Sequence, residues 1–374
     1  MKIKIVLLIT TFLFIYSALS FYIGWNIWVW QHHILGFQSK WILGLCLGII
    51  SYSYVIGHFL KKWPFFKIIG AYWFAFFQYS ILIFPFIDAI DWILLSESIS
   101  THSIMVWSGM IVLFLFAALF IYGTYNAYSP VVRTYTISIP KFGGRHSELR
   151  IAMASDMHFG TLSGLSHVHR LVKKVNELHP DIILLPGDII DDDPEPFIRK
   201  KMGNIMKDLS APLGVYGVLG NHEYYGGGIP NFLKEMERNG ITILQDQILE
   251  IDKSFYLAGR KDKTDRNRLS IKDLLQNSDQ NIPIIMMDHQ PTDIKHAEEN
   301  YVDILLSGHT HRGQLAPNHL FTKKLFELDW GYMQKSQLHT IVSSGFGFWG
   351  PPLRIGSRSE IVSIHISFNG PEIK

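Results

Sequence analysis

The stretch "DILLSGHTHRGQ", residues 303–314, joins an apolar run to two histidines. Residues 304–306 are typical of a buried strand, and this strand stops at Gly308. His309 and His311 follow, with one threonine between them. Because a turn at Gly308 takes the chain out of the extended conformation, it allows both imidazoles to point at one place. Two imidazoles at one point usually bind a metal ion or a phosphate, although for the fragment alone a loop with two solvated histidines is the more common explanation.

Similar residue types follow four more predicted strands, so the fragment is not isolated. The five predicted strands cover residues 149–154, 181–185, 214–219, 282–287 and 302–306. The side chains that follow them, in order, are Asp156 and His158, then Asp188, then Asn221, His222 and Glu223, then Asp288 and His289, then His309 and His311. Since the carboxyl ends of strands in an α/β sheet line the crevice where ligands bind, we expect these side chains to gather.

The donor types in this set indicate a particular chemistry. Carboxylate, amide oxygen and imidazole suit manganese, iron, zinc or magnesium, and the lack of thiolates argues against a structural zinc site. One aspartate can bridge two ions through its two oxygens. Two ions about 3.5 to 4 Å apart polarise a phosphoryl group, lower the pKa of a shared water, and hold the attacking and leaving oxygens in line. We therefore expect His309 and His311 to be the last ligands of a two-metal centre.

The first third of the chain has a different character, because it consists of apolar runs long enough to cross a bilayer. The predicted membrane spans cover about residues 5–24, 41–60, 67–87 and 104–124. Tryptophans cluster near the ends of these runs, where amphipathic rings prefer the headgroup zone. Lys2 and Lys4, followed by an apolar stretch and the small residues of segment 17–20, also fit a cleavable signal peptide, so cleavage stays open, although the apolar character continues past Ser20.

Charge distribution predicts the orientation of these spans. Basic residues crowd the loop between the second and third spans and follow the fourth span, whereas residues 96–103 contain no lysine or arginine. The basic residues concerned are Lys61, Lys62, Lys67, Arg133, Lys141 and Arg145. Since basic loops stay in the cytoplasm, we expect a multi-pass cell-membrane protein with its C-terminal region on the cytoplasmic side.

Composition argues against a nucleic-acid-binding protein and against a disulfide-stabilised one. The formal net charge is +2 and no basic tract is interleaved with aromatic residues, so no nucleic-acid partner is expected. The single cysteine, Cys46, lies in the second predicted span, and one cysteine forms no intrachain disulfide. The predicted division is a transmembrane helical domain over residues 1–128, a linker over 129–147 and an α/β domain over 148–374.

The ordered motifs resemble those of the calcineurin-like metallophosphoesterase superfamily. The blocks are Asp156-x-His158, Gly187-Asp188, Gly220-Asn221-His222-Glu223, His289 and Gly308-His309-Thr310-His311. The likeness extends to the YkuE/YaeI-like branch and to members with several N-terminal spans, such as the transmembrane proteins with a metallophosphoesterase domain. Gln314 and the segment 352–361 carry this closer likeness.

This resemblance implies a four-layer α/β/β/α sandwich preceded by about four transmembrane helices. It also implies two bound divalent ions, for which Mn²⁺ is the first expectation and Fe, Zn and Mg are alternatives. It implies that one ion is bound by Asp156, His158, Asp188 and His311, and the other by Asp188, Asn221, His289 and His309. His222 would not bind the metals and would either stabilise the transition state or protonate the leaving oxygen.

The chain departs from the family's pattern at two positions. Arg312 stands where the family commonly has glycine, and Glu223 stands where it commonly has aspartate. The run Asp191 to Asp193 lacks the arginine and glycine of Ser/Thr protein phosphatases, which argues against that substrate class.

The expected function is hydrolysis of a phosphomonoester, phosphodiester or pyrophosphate by a membrane-anchored enzyme, on a phosphorylated small molecule or a lipid-linked substrate. The alternatives are a UDP-diacylglucosamine-type pyrophosphatase and a non-catalytic membrane sensor or scaffold that binds a phosphorylated ligand. Phe346, Phe348 and Trp349 either belong to the core or form a loop that meets the lipid headgroups. His167, His169 and His179 are expected to be solvated helix residues, and the acidic run 191–193 a solvated loop.

Overall fold

The computed structural model describes residues 2–60, 63–97 and 99–371, arranged as two compact units, Met1–Tyr122 and Gly123–Lys374. Lys61 and Lys62, on which part of the predicted orientation depends, lie outside the described residues.

The first unit is built from four long apolar helices. Their bounds are α1 Lys2–Leu35, α2 Lys40–Phe59, α3 Pro64–Ser96 and α4 Thr101–Tyr128. By length and composition, each contains a segment able to cross a membrane. Helices α1, α3 and α4 are longer than the predicted spans, because the flanking residues continue the helix beyond the most apolar stretch. The side chain of Ser108 on α4 donates a hydrogen bond of 2.5 Å to Asp91 on α3, which pairs two buried polar groups of this unit.

The second unit contains two six-stranded sheets, with neighbouring strands in the orders β1-β12-β2-β3-β4-β5 and β10-β11-β9-β8-β7-β6. The first sheet is formed by β1 Val131–Ile139, β2 Glu148–Met153, β3 Ile182–Pro186, β4 Val215–Val218, β5 Ile241–Ile243 and β12 Glu360–Phe368. The second is formed by β6 Gln247–Ile251, β7 Phe255–Gly259, β8 Ile284–Met287, β9 Ile304–Ser307, β10 Gly331–Lys335 and β11 Leu338–Val342.

Helices cover the outer faces of both sheets. Those beside the first sheet are α5 Leu165–Asn176, α6 Glu195–Arg199, α7 Met202–Met206, α8 Asn221–Gly226 and α9 Ile229–Arg238. The remaining helices are α10 Ile271–Leu274, α11 Ile294–Glu299 and α12 His319–Leu325, and a single 3₁₀ turn covers His311–Gly313.

Three apolar cores hold these layers together. Alternate residues of a strand face opposite sides of its sheet, so Ile151 and Met153 of β2 enter the core between the two sheets. Ala152 faces the other way, into the core under α5 and α9. A third core joins the second sheet to α10 and α11. The result is the expected α/β/β/α order of layers.

Residues 131–139 differ from their expected role as part of a linker. They form β1, which pairs in parallel with β12 along nine residues, from Val131 opposite Glu360 to Ile139 opposite Phe368. The alternating sequence VVRTYTISI is typical of a half-buried strand, and Ile137 and Ile139 lie in the core between the sheets. The second unit therefore begins before residue 131 and includes the last residues of α4.

Candidate metal centre

Five strand ends supply the polar side chains of the site. In the first sheet β2, β3 and β4 are parallel neighbours, and in the second sheet β8 and β9 are parallel neighbours. Their carboxyl ends therefore lie together at one edge of each sheet. The segments that directly follow these ends contain all seven residues predicted as metal ligands, with Asn221 as the first residue of α8.

The first group of donors consists of Asp156, His158 and His311, which have ligand atoms within 4.8 Å of one another and are all buried. The Nε2 atoms of the two histidines lie 2.9 Å apart, and Nε2 of His311 lies 3.6 Å from Oδ1 of Asp156. Oδ2 of Asp156 and Nδ1 of His158 are buried without a hydrogen-bond partner among the described residues. Buried polar atoms normally have partners, so this group fits a cation.

The second group contains Asp188, Asn221, His289 and His309. Oδ1 of Asn221 lies 3.2 Å from Nε2 of His289 and 2.8 Å from Nδ1 of His309. Nδ1 of His289 lies 2.9 Å from the carbonyl oxygen of Pro186 and donates a hydrogen bond to it. Nε2 of His289 therefore faces the oxygens of Asn221 and Asp188, and in the neutral imidazole its lone pair is available to a cation between them.

Asp188 lies between the two groups. Its Oδ2 is 3.0 Å from Nε2 of His289 in the second group and 3.8 Å from Nε2 of His158 in the first. Its Oδ1 accepts a hydrogen bond of 3.0 Å from the backbone N–H of His222, which fixes the carboxylate against the start of α8. This is the position that a bridging ligand of two ions requires.

The backbone around the donors is unusual. Five of the seven donors have positive φ, and these are Asp156, His158, Asp188, His309 and His311. Non-glycine residues rarely adopt this conformation, and such strain is concentrated at functional sites. Neighbouring glycines permit the close approach, because a Cβ atom on Gly220 would lie 2.2 Å from Oδ1 of Asp188, and one on Gly308 would lie 2.2 Å from Oδ2 of Asp156.

Burial adjusts the protonation of the donors. It lowers the pKa of His158 to about 3 and that of His309 to about 4, so both imidazoles are neutral at physiological pH, the form that binds metals. Burial disfavours the charge of Asp188, but the neighbouring His289 and His158 hold the pKa of Asp188 below its ordinary value. Burial alone would lower the pKa of His289, yet the charge of Asp188 raises this pKa well above its ordinary value. Positive charge is therefore favoured beside Asp188.

His222 lies next to the first group, and its ligand atom is within 4.8 Å of those of His158 and Asp191. Its ring centroid is 4.7 Å from that of His158, and its Nδ1 lies 2.7 Å from Oδ1 of Asp192. Burial by itself lowers the pKa of His222, but the hydrogen bond to Asp192 and the charge of Asp188 outweigh it and raise the pKa to about 9. The exposed rings of Tyr225 and Trp349 lie close to it, with centroids 5.7 and 6.0 Å from that of His222.

Asp192 is a functional candidate that the sequence did not predict, because a run of three aspartates is typical of a solvated loop.

Two residues that follow predicted strands, Glu223 and Asp288, have structural roles. Glu223 is buried and accepts hydrogen bonds from the backbone of Gly220 and Ile190, at 2.7 and 2.9 Å, so it joins two site loops. Asp288 is buried in an ion pair with Arg260 at 2.7 Å, and it also contacts Arg268.

Arg354 is a second residue that the sequence did not explain. It is fully buried, and its guanidinium donates to the carbonyl oxygens of Gly345 and Gly347 at 3.2 and 2.6 Å. One of its nitrogens also lies 3.2 Å from Nδ1 of His311. The backbone of Arg354 is held by the end of α4, since Asn126 donates to its carbonyl oxygen at 3.1 Å and its own N–H donates to Gly123 at 2.9 Å. Arg354 thus joins the end of α4 to the loops beneath the site.

The remaining aromatic and basic side chains also have defined places. Phe346 and Phe348 are buried, so the hypothesis that they meet the lipid headgroups is wrong, whereas Trp349 is 52% exposed. His167 is buried rather than solvated, because its ring packs on Phe346 at 4.4 Å between centroids. The guanidinium of Arg312 stacks on Trp330, 3.9 Å from the ring centre.

Two layered sheets with aspartates, histidines and an asparagine gathered at their strand ends define a metal-dependent hydrolase of phosphate esters. The sequence profile of the calcineurin-like phosphoesterases matches residues 149–313. An uncharacterized metallophosphoesterase of Aquifex aeolicus is 33% identical over 258 residues, which are 67% of this chain and 96% of that protein. The chain therefore belongs to the calcineurin-like metallophosphoesterase family.

Two further relatives match over part of their own length. The transmembrane protein with metallophosphoesterase domain of Danio rerio is 31% identical over 272 residues, or 68% of this chain and 62% of that protein. An uncharacterized metallophosphoesterase of Helicobacter pylori is 34% identical over 59% of this chain and 60% of its own length. The chain thus matches about three-fifths of the length of these two proteins. Among solved structures, a 5'-nucleotidase precursor of Thermus thermophilus aligns with a TM-score of 0.36 and 15% identity over 57% of this chain and 54% of that one.

Proposed function

We propose that this membrane-anchored phosphoesterase binds two divalent ions and hydrolyses a phosphomonoester, phosphodiester or pyrophosphate bond of a lipid-linked substrate. One ion is assigned to Asp156, His158, Asp188 and His311, and the other to Asp188, Asn221, His289 and His309. The observation that carries this proposal is that two groups of converging donors meet at one carboxylate, since Oδ2 of Asp188 lies 3.0 Å from Nε2 of His289 and 3.8 Å from Nε2 of His158. Mn²⁺ is the ion proposed, since oxygen and imidazole donors suit it.

Bound divalent ions supply Lewis-acid polarisation of the phosphoryl group and lower the pKa of a water molecule. The side chains of this protein supply the remaining catalytic groups. Asp192 holds the ring of His222 beside the first donor group, and the raised pKa of about 9 keeps that imidazole protonated at neutral pH. A protonated imidazole in this place stabilises negative charge in the transition state and donates a proton to the leaving oxygen.

The lipid-linked substrate is supported by the anchoring of the site. Four helices of this chain are able to span a bilayer, and a soluble metabolite gains nothing from such an anchor. The exposed rings of Tyr225 and Trp349 beside His222 offer apolar contact to the group that leaves the phosphate. We place the membrane domain at residues 1–122 and the phosphoesterase domain, on the cytoplasmic side, at residues 123–374.

The test uses the full chain in proteoliposomes with Mn²⁺ and two substrates that release the same chromophore. One is bis(4-nitrophenyl) phosphate, which is soluble, and the other is a long-chain alkyl 4-nitrophenyl phosphate dispersed in the vesicles. We expect metal-dependent hydrolysis of both, with kcat/KM at least tenfold higher for the lipid ester. A higher value for the soluble ester contradicts the lipid-linked substrate and leaves the phosphoesterase activity standing.

A further inference from the structure

The helix that follows the histidine loop, α12, exposes its apolar side chains. Leu320, Phe321 and Leu325 are 61%, 67% and 76% exposed. Among the described residues of the second unit, only one other large apolar side chain is more than 60% exposed, and that is Tyr225 beside His222. Soluble proteins rarely leave such a cluster uncovered, and contiguous exposed apolar surface commonly marks an interaction site.

The exposed face of α12 also carries positive charge. Leu320 and Lys324 are four residues apart, as are Phe321 and Leu325, so these four side chains share the outward face of the helix. Lys323 beside them is also exposed, and neither lysine has an ion pair with any described residue. Apolar side chains with lysines among them are the composition of a helix that lies in the headgroup zone of a membrane rich in anionic lipid.

The opposite face of α12 is fixed to the protein near the site. The hydroxyl of Thr322 donates a hydrogen bond of 2.7 Å to Asp329, which orients the helix. Phe326, directly after α12, packs on His309 with 5.9 Å between ring centroids. A surface bound by α12 is therefore brought close to a residue assigned to the second ion.

We propose that α12 is an interfacial helix that binds the anionic surface of the bilayer and presents membrane-embedded phosphate esters to the metal centre. This inference rests on the proposed lipid-linked substrate. Leu320, Phe321 and Leu325 enter the boundary between headgroups and acyl chains, while Lys323 and Lys324 bind lipid phosphates. A lipid surface is the occupant favoured over a protein, because the same chain already contains four candidate membrane spans and because the exposed charge is basic.

The experiment measures contact with lipid directly. In full-length protein with Cys46→Ser, Phe321→Cys on α12 is labelled with an environment-sensitive fluorophore, and Lys234→Cys on the exposed side of α9 is the matched control. Both proteins are reconstituted into phosphatidylcholine vesicles, with or without phosphatidylglycerol, that contain a lipid with a nitroxide on its acyl chain. We expect strong quenching at position 321, increased by phosphatidylglycerol and reduced by salt, and little quenching at position 234. Equal quenching at the two positions overturns the proposal.

A second pair of variants keeps this test independent of labelling. Lys323→Glu with Lys324→Glu removes the attraction to anionic lipid, and Lys234→Glu is the control of equal type on α9. We expect the α12 double variant to lose fivefold or more of its kcat/KM on the dispersed alkyl ester and less than twofold on bis(4-nitrophenyl) phosphate, after a thermal melt shows that it is folded. Equal losses on both esters overturn the proposal. Self-association of the protein through α12, without quenching at position 321, also overturns it. Quenching at position 321 without preference for the alkyl ester supports the docking of α12 and counts only against the lipid-linked substrate.

Discussion

Nδ1 of His222 lies 2.7 Å from Oδ1 of Asp192, and this contact sets both the orientation and the charge of the histidine. The centroid of the His222 ring lies 4.7 Å from that of His158 and 6.0 Å from that of Trp349. Under the proposed function, His222 acts on the substrate and Asp192 acts only through His222.

Asp192→Asn is expected to lower turnover about ten- to a hundredfold, the usual cost of losing a residue that orients a functional histidine. The metal content should not change, because Asp192 is not assigned as a ligand. Activity and bound metal are measured on the same preparation by nitrophenol release and elemental analysis. Asp193→Asn, in the same loop, is the control, and an equal loss in both variants contradicts a specific role for Asp192.

His222→Ala should keep its metal while its turnover falls by about two to four orders of magnitude, the range for lost general-acid or electrostatic help. Elemental analysis of the purified variant, compared with the unsubstituted protein, checks the first part, and single-turnover rates check the second. Loss of metal from this variant would show that His222 is a ligand.

Asp188→Asn should lower metal content and activity together, because the substitution removes the negative charge placed between the two donor groups. The measurement is metal stoichiometry against activity at increasing Mn²⁺. Asp181→Asn is a suitable control, since Asp181 lies before the same strand and outside the site. Full metal content in Asp188→Asn contradicts the bridging assignment.

Removal of metal should destabilise the protein. Asp156 and His158 carry buried atoms with no partner among the described residues, so binding of an ion stabilises the folded state selectively. Free Mn²⁺ at about a hundred times its Kd is expected to add about 2.7 kcal/mol to the free energy of unfolding. Thermal melts with chelator and with Mn²⁺ measure the difference, and a melting temperature that is the same in both contradicts the assignment.

The orientation prediction rests on Lys61, Lys62, Lys67 and Arg133. A fluorescent protein that matures only in the cytoplasm, fused after Lys374, is expected to fluoresce. An alkaline phosphatase that is active only in the periplasm, fused at the same position, is expected to be inactive. Strong phosphatase activity would reverse the orientation.

The positions of the seven candidate ligands were predictable because each follows an apolar run that stops at a turn. Their convergence needs only the rule that parallel strands end at a common edge. The contact between Asp192 and His222 was not predictable, because it depends on how two loops fold back across the site, and an acidic run in a loop is more commonly solvated. The burial of Phe348 was not predictable either, since it depends on packing against Tyr128 from the end of α4, with 5.3 Å between ring centroids.

Strand β1 has a consequence for any attempt to separate the enzyme from its anchor. A fragment that begins at residue 148, where the first motif-bearing strand starts, would lose β1 and leave nine residues of β12 with unpaired backbone groups at a new sheet edge. Such an edge invites aggregation. The cut would also remove Asn126, whose backbone carbonyl accepts a hydrogen bond of 3.0 Å from the N–H of Ser359, the residue before β12. The last turn of the membrane helix is thus part of the folding unit of the enzyme, and a soluble version has to retain it.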